Sequence, residues 1–525
     1  MTERITPKPQ GAVFGFSVLS IANFLIAVLS YLRFAGIARI FGADWRTDAF
    51  AVALVLPFLV RDLIVHTFGS TFLPIYARVV KMKGKKGAVR FMNLVMTWVA
   101  ISGTLLMFPL FAGSRQAVIA VSPGSSPDML AMASIMLRIL VPTVLLRALS
   151  GILSIFIQYE KRFSTMGMAG VIDLGISTAM LFIVGPRWGV MVLPWSVTAG
   201  VGLAFGYVLV CAIRSGYRPE PVFEKDPNLG QLAKMAGPVM IGTLAGFLGP
   251  VADKILASFL MPSSITALDY ADRIKNIAFA VAFAPFAVMA ELSYSTKAAR
   301  GEHEELIANF KYGLNQTSLI MFPMAALLTV IALPLVSVLF QRGNFTADNA
   351  RYVAYALAFY APWLMRSGLF SLTSKAFYAL KDSTTPVVIG VIGLTINVLL
   401  NFILIAPLGI GGLALATTAS STLKAIYQTW ALSRKMGGLG LREIMPEQLR
   451  MALALVAMIG AVLLLRTFLP FNPAESFTVR VIMLCIYGLA GSAVYVVTLA
   501  SLRCRTLSDA VGRIRTMISS RRTVS

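Results

Sequence analysis

Long apolar blocks alternate with short polar connectors along the whole chain. An α-helix rises about 1.5 Å per residue, so about 20 apolar residues cross roughly 30 Å of hydrocarbon. On that measure about fourteen spans are predicted, at residues 12–34, 48–76, 91–112, 131–158, 166–185, 189–213, 234–260, 268–294, 311–340, 350–379, 385–407, 411–432, 450–470 and 479–502. The pattern predicts an all-α polytopic membrane protein. The block after MTERITPKPQ is too long for a signal-peptide core and has no convincing small-residue cleavage site, so it reads as an uncleaved first span.

Composition sharpens the picture. Of 525 residues, 57% are hydrophobic and only 13% charged, with a mean hydropathy of +0.78, too little polar surface for a water-soluble globule. The net charge of +23 does not indicate nucleic acid, because Lys and Arg punctuate apolar runs instead of gathering in a soluble domain or arm. Their placement reports topology. Connectors such as ARVVKMKGKKGAVR, RSGYRPEPVFEK and SRKMGGLGLREIMPEQLR are basic, whereas SPGSSPD, APLGIGG and PFNPAES lack Lys and Arg. The positive-inside rule then places both termini in the cytoplasm, although the connectors after spans 1 and 9 carry arginines and fit less well. Cys211, Cys485 and Cys504 are too scattered for a disulfide framework or a metal knuckle. All three read as structural, with acylation the alternative for Cys504 at a basic membrane edge.

The chain also repeats at an offset of about 220 residues. LVPTVLLRALSGILSIFIQYEKRFS, from Leu140, answers FYAPWLMRSGLFSLTSKAFYALKDS, from Phe359, pairing Arg147 with Arg366 and Tyr159 with Tyr378. Six spans separate the copies, so the repeat is parallel, with its axis along the membrane normal. The expected organisation is two six-helix lobes, 1–220 and 221–440, then two additional helices within 441–502 and a basic tail, 503–525.

A charge at the bilayer centre costs about 3 kcal/mol on insertion scales, so charges inside spans face a partner, water or a substrate. Arg33, Asp48, Arg61, Asp62, His66, Arg138 and Arg147 qualify in the first lobe. In the second lobe Asp253, Lys254, Asp272, Arg273, Lys275, Glu291, Arg366, Lys375 and Lys424 qualify. Arg147, Lys375 and Lys424 either snorkel or pair internally, or serve transport. Asp62 and His66, four residues apart on one helical face, suit a structural hydrogen bond as well as a role in transport. Arg33, Arg61 and Arg273, on three different helices, suit phosphate or pyrophosphate, because the guanidinium fork donates paired hydrogen bonds and keeps its charge. No HExxH, P-loop, GxSxG or CxxC pattern is present, and no extramembrane segment is long enough for a catalytic domain. The expectation is a transporter, not an enzyme.

RFAGIARIFGADWRTDAFAVALVLPFLVR resembles the span 1 to 2 signature of the MurJ (MviN) lipid II flippase family of the MOP exporter superfamily, and LDYADRIKN resembles that family's span 8 segment. The resemblance extends over essentially the whole chain, including the two helices outside the repeat, which in that family form a groove for the lipid tail. It implies that Arg33, Arg61 and Arg273 line a central cavity and engage the lipid's pyrophosphate, and Asp48 matches the aspartate of TDAF. The chain departs from the pattern at Phe34, where an acidic residue is usual, at Ala27 and Asp62, where arginines are usual, and at His66, where glutamate is common. Lys275, and Arg147 and Arg366 if they turn inward, would restore basic charge. Some members of the family hold a monovalent cation. Here Asp253, Asn397, Asn401 and Thr417 would supply hard oxygen ligands for Na⁺ as a coupling ion, or else Asp253 pairs with a basic neighbour and the asparagines bridge helices; no other cofactor is expected.

The resemblance implies a flippase in the bacterial inner membrane that carries lipid II to the outer leaflet by alternating access. The alternatives are a flippase for another polyprenyl-linked saccharide, as for O-antigen or exopolysaccharide, or a lipid-binding scaffold that transports nothing. Expected partners are the lipid-linked oligosaccharide and membrane lipids, with the peptidoglycan synthesis machinery as a candidate and nucleic acid excluded.

Overall fold

The computed structural model describes the backbone of residues 9–160 and 162–522. These residues form eighteen α-helices and two short 3-10 turns. The chain divides into two compact units, Met1–Thr266 with Arg342–Phe345, and Ala267–Gln341 with Thr346–Ser525.

In the first unit are α1 (Pro9–Phe41), α2 (Trp45–Ala53), α3 (Val55–Ala112), α4 (Ser114–Val121), α5 (Pro127–Tyr159), α6 (Phe163–Trp188), α7 (Val192–Arg214) and α8 (Pro227–Ala257). Next comes α9 (Ser264–Ala299), which opens in the first unit and continues in the second. The remainder are α10 (His303–Val330), α11 (Ala332–Phe340), α12 (Ala347–Tyr360), α13 (Trp363–Ala379), α14 (Thr384–Leu408), α15 (Ile410–Lys435), α16 (Met445–Phe468), α17 (Phe477–Ser501) and α18 (Arg505–Arg522).

Every predicted span falls on helix. Spans 2 and 3 share α2 and α3, and α3 breaks at Gly84, where φ is 69°. Spans 9 and 10 are each a broken pair, α10 with α11 and α12 with α13. Eight helical stretches among the described residues are long and apolar enough on their own to cross a membrane, and α8 makes a ninth if taken as one span. The others fall short for visible reasons: α9 carries Asp269, Asp272, Arg273 and Lys275 within two turns, α11, α12 and α13 are short pieces, and α15 carries the polar run TTASSTLK. This is a multi-pass membrane protein. The helix limits repeat as the sequence does, at an offset of about 220 residues: α4 answers α11, α5 answers α12 plus α13, α6 answers α14, and α7 answers α15.

Local chemistry explains the FGADWRTDAF stretch. Gly42 ends α1 at φ 74°, a conformation that an L side chain rarely adopts. Asp44 then caps α2, accepting from the Arg46 and Thr47 amides, while the Thr47 hydroxyl accepts from the Asp44 amide.

Helices in lipid gain little from apolar burial alone and rely on close packing and buried hydrogen bonds. The first unit concentrates both around the break in α3 and at the C-terminal ends of α5 and α7, where Phe72, Tyr76, Phe91, Phe156 and Tyr217 pack together. The connector from α7 to α8 is pinned there by Lys83 to Asp226 at 2.7 Å, by Arg90 to Glu224, and by the Asn93 amide donating to the Arg218 carbonyl at 2.7 Å. In the second unit Tyr294, Phe310 and Phe377 form one core and Phe322, Met451, Met458 and Tyr495 another, where α16 and α17 pack on α10.

Arg466 donates to the Val330 carbonyl at the end of α10, and Arg480 donates to the carbonyls of Ser337 and Gln341 at the end of α11. Both place a cation on the negative end of a helix dipole. Cys504 is structural and the acylation alternative falls: it is buried, and its thiol donates to Glu447. Burial and that carboxylate push the thiol's pKa up, so it is neither accessible nor nucleophilic.

Candidate functional site

The arginine after the LP motif sits on α3 beside its own counterion. Arg61 Nε donates to Asp62 Oδ1 at 2.8 Å, and Nη2 lies 2.7 Å from the same oxygen. The guanidinium also lies 4.6 Å from the centre of the Phe58 ring. Two adjacent opposite charges form a nearly neutral pair, which lowers the cost of placing either at membrane depth. The pair is half-exposed, so Arg61 keeps donors for a ligand. Asp62 is thus engaged by Arg61; the His66 side chain lies outside the described residues. Arg33 is partly buried on α1.

Asp48 is 5% exposed, and both its oxygens meet backbone: Oδ2 accepts from the Ser263 amide and Oδ1 from the Thr266 amide, each at 2.7 Å. A carboxylate on the first amides of α9 caps that helix from a distance in sequence. Arg147, on α5, meets Asp173 of α6 at 3.2 Å, with both side chains largely buried. Its repeat partner Arg366 is exposed on α13 and lines a cavity of about 440 Å³ walled mainly by Leu314, Phe322, Met365, Leu369 and Leu449. The cavity lies among α10, α13 and α16. The repeat thus produces one arginine held in a salt bridge and one at an apolar chamber.

In the second unit Lys275 is buried, pairs with Asp272, and points its ammonium at Tyr360 and Trp363, 4.5 and 4.4 Å from their ring centres. Desolvated cation–π contacts of this kind are worth about 2 kcal/mol, so Lys275 is a fixed cation. Trp363 is oriented in turn by donating to Ser421 at 3.1 Å. Arg273, two residues earlier, is partly buried on α9. The Lys424 stem lies across Gly393, where a Cβ would collide with it.

Asp253 belongs to α8 in the first unit, whereas Asn397 and Asn401 of α14 and Thr417 of α15 belong to the second. Asn397 donates to Thr417 at 3.3 Å, and Asn401 reaches Asn397 Oδ1 at 3.5 Å. Among the described residues no group of three or more His, Cys, Asp or Glu is placed to hold a metal ion.

Sequence reasoning missed Asp173, the Tyr360 and Trp363 cage, and the capping arginines Arg466 and Arg480. An aspartate within span 5 was a visible signal for the first. The others depend on contacts between helices distant in sequence.

A duplicated, all-helical, multi-pass membrane protein with partly exposed cations inside its helices has the architecture of a membrane transporter. The match to known proteins is specific. The model of the family "Lipid II flippase MurJ" covers residues 37–482. The lipid II flippase MurJ of Burkholderia cenocepacia is 29% identical over 466 residues, covering 86% of this chain and 87% of that protein. A solved structure of a lipid II flippase MurJ in an inward closed conformation superposes with TM-score 0.77 at 20% identity, covering 92% of this chain and 99% of that one. An inward-facing multidrug resistance MATE family transporter of the MOP superfamily gives TM-score 0.67 at 13% identity, covering 82% and 98%. The chain belongs to the MurJ family.

Proposed function

We propose that this protein is a lipid II flippase of the bacterial inner membrane, moving the lipid-linked peptidoglycan precursor from the inner to the outer leaflet by alternating access. The family match over residues 37–482 carries the reading. Arg61, half-exposed on a membrane helix with donors to spare, supports it. In this reading Arg33, Arg61 and Arg273 engage the pyrophosphate, with Lys275, paired with Asp272, as a further basic residue of the site. The chamber beside Arg366 takes part of the polyprenyl tail: its walls are apolar and α16, one of the two helices outside the repeat, closes it. Both termini face the cytoplasm in this reading, which the clearest basic and Lys/Arg-free connectors support. Were Na⁺ the coupling ion, Asp253, Asn397, Asn401 and Thr417 are the residues that would supply its oxygen ligands, and the peptidoglycan synthesis machinery is the candidate protein partner.

A second reading, transport of another polyprenyl-linked saccharide, draws on one observation: Asp62 neutralises Arg61 where the family pattern has a further arginine. Expression in a bacterium depleted of its own lipid II flippase separates the two. Rescue of growth and wall synthesis is expected, with loss of rescue in Arg33→Ala, Arg61→Ala and Arg273→Ala and partial return with Lys. Failure of well-inserted wild-type protein to rescue, with restored surface polysaccharide in a strain lacking that other flippase, establishes the second reading instead.

A further inference from the structure

We infer that the second unit carries a saccharide subsite between α9 and α13, built on Glu291 and Lys375. It rests on the flippase reading above and assigns the sugar part of that substrate a place of its own. A cavity of about 590 Å³ opens between these helices, within the usual size of small-ligand pockets. Glu291, Lys375, Ser371 and Tyr378 supply its polar groups, and Phe283 and Phe370 its apolar walls.

Lys375 Nζ lies 2.8 Å from Glu291 Oε2, yet the Glu291 side chain is 71% exposed. A carboxylate this open on a membrane helix costs about 3 kcal/mol if it faces hydrocarbon, so this face is wet. The pair occupies one of the two carboxylate oxygens and one of the three ammonium donors, leaving Oε1 and two N–H groups for a ligand. Because the pair carries no net charge, it does not select an anion as the arginines do. Mixed donors and acceptors beside aromatic walls suit a pyranose, whose hydroxyls both donate and accept and whose C–H face packs on apolar surface.

The α13 wall is held from behind. Ser374 accepts from Gln428 of α15 at 2.8 Å and donates to the Phe370 carbonyl at 2.8 Å, and Gln428 is fully buried. Glu291 and Lys375 lie toward the C-terminal ends of α9 and α13. On the proposed topology those ends face the cytoplasm, so the subsite opens where a lipid-linked precursor is loaded.

The test measures binding of two probes, lipid II and sugar-free undecaprenyl pyrophosphate, to the purified full-length protein. Glu291→Gln and Lys375→Gln should each weaken lipid II about ten-fold, the loss of about one charge-assisted hydrogen bond, and leave undecaprenyl pyrophosphate within about two-fold. The exchanged pair, Glu291→Lys with Lys375→Glu, should regain any lost thermal stability but not lipid II affinity. Unchanged lipid II binding in the single variants, equal loss for both probes, or recovery of affinity together with stability in the exchanged pair would each overturn the subsite while leaving the flippase reading intact. Wild-type protein that binds neither probe overturns the flippase reading, and the subsite with it.

Discussion

Asp48 and Thr266, 218 positions apart in sequence, meet at 2.7 Å, the Thr266 amide donating to the Asp48 carboxylate. With the Ser263 amide on the other oxygen, the signature aspartate acts as a clamp on the first turn of α9, the helix that carries Arg273 and Lys275. Asp48→Ala strands two amides and should cost about 2 kcal/mol, read as a lower melting temperature of the detergent-solubilised protein. Asp348→Ala, which removes an exposed pair with Arg351, should not move it. Equal melting of both variants with wild type would remove the clamp.

Asp62 competes with a ligand for Arg61. Asp62→Asn should therefore raise affinity for undecaprenyl pyrophosphate about two- to five-fold, the worth of a half-exposed ion pair, with the gain shrinking as salt is added. Weaker binding would show that Asp62 orients Arg61 for the ligand instead of restraining it.

The repeat-related arginines should respond differently to truncation. Arg147→Ala leaves Asp173 uncompensated and largely buried, at a cost of about 3–5 kcal/mol, so little monodisperse protein should survive size-exclusion chromatography. Asp173→Asn in the same chain should recover part of it. Arg366→Ala should fold normally and lose transport. The contrast fails if both variants fold equally well.

Acid should weaken the join between α13 and α14. The Lys435 ammonium and the Thr385 amide hold the Asp382 carboxyl at about 2, below its ordinary 3.8. A depressed carboxylate pKa contributes stability above its unfolded value, and that contribution is lost as pH falls through the folded value. Wild type should melt above Asp382→Asn at neutral pH, and the gap should close between about pH 4 and pH 2. A gap that persists to pH 2 would assign the difference to something other than this titration.

Topology is open to labelling in a cysteine-free background. Ser125→Cys and Glu475→Cys, in connectors that lack Lys and Arg, should react with an impermeant thiol reagent in intact spheroplasts, and a cysteine at Lys86 should not. The reverse pattern would invert the orientation.

What could be read from the chain alone was one-dimensional. Hydrocarbon thickness sets a length, the cost of a bare charge sets where Lys and Arg fall, and duplication leaves an offset; each survives without knowledge of contacts. Hence the spans and the repeat were legible, whereas Asp62, matched in sequence with His66 four residues on, pairs with its neighbour Arg61. The fate of each intramembrane charge was not legible, because it depends on which helix lies opposite. Arg147 and Arg366 hold equivalent places in the repeat, but one meets Asp173 and the other an apolar chamber. Lys275 became a caged cation only when α12 and α13 brought Tyr360 and Trp363 against it. A charge in a membrane must find a partner or water, and sequence states only that demand; tertiary packing decided how each residue met it.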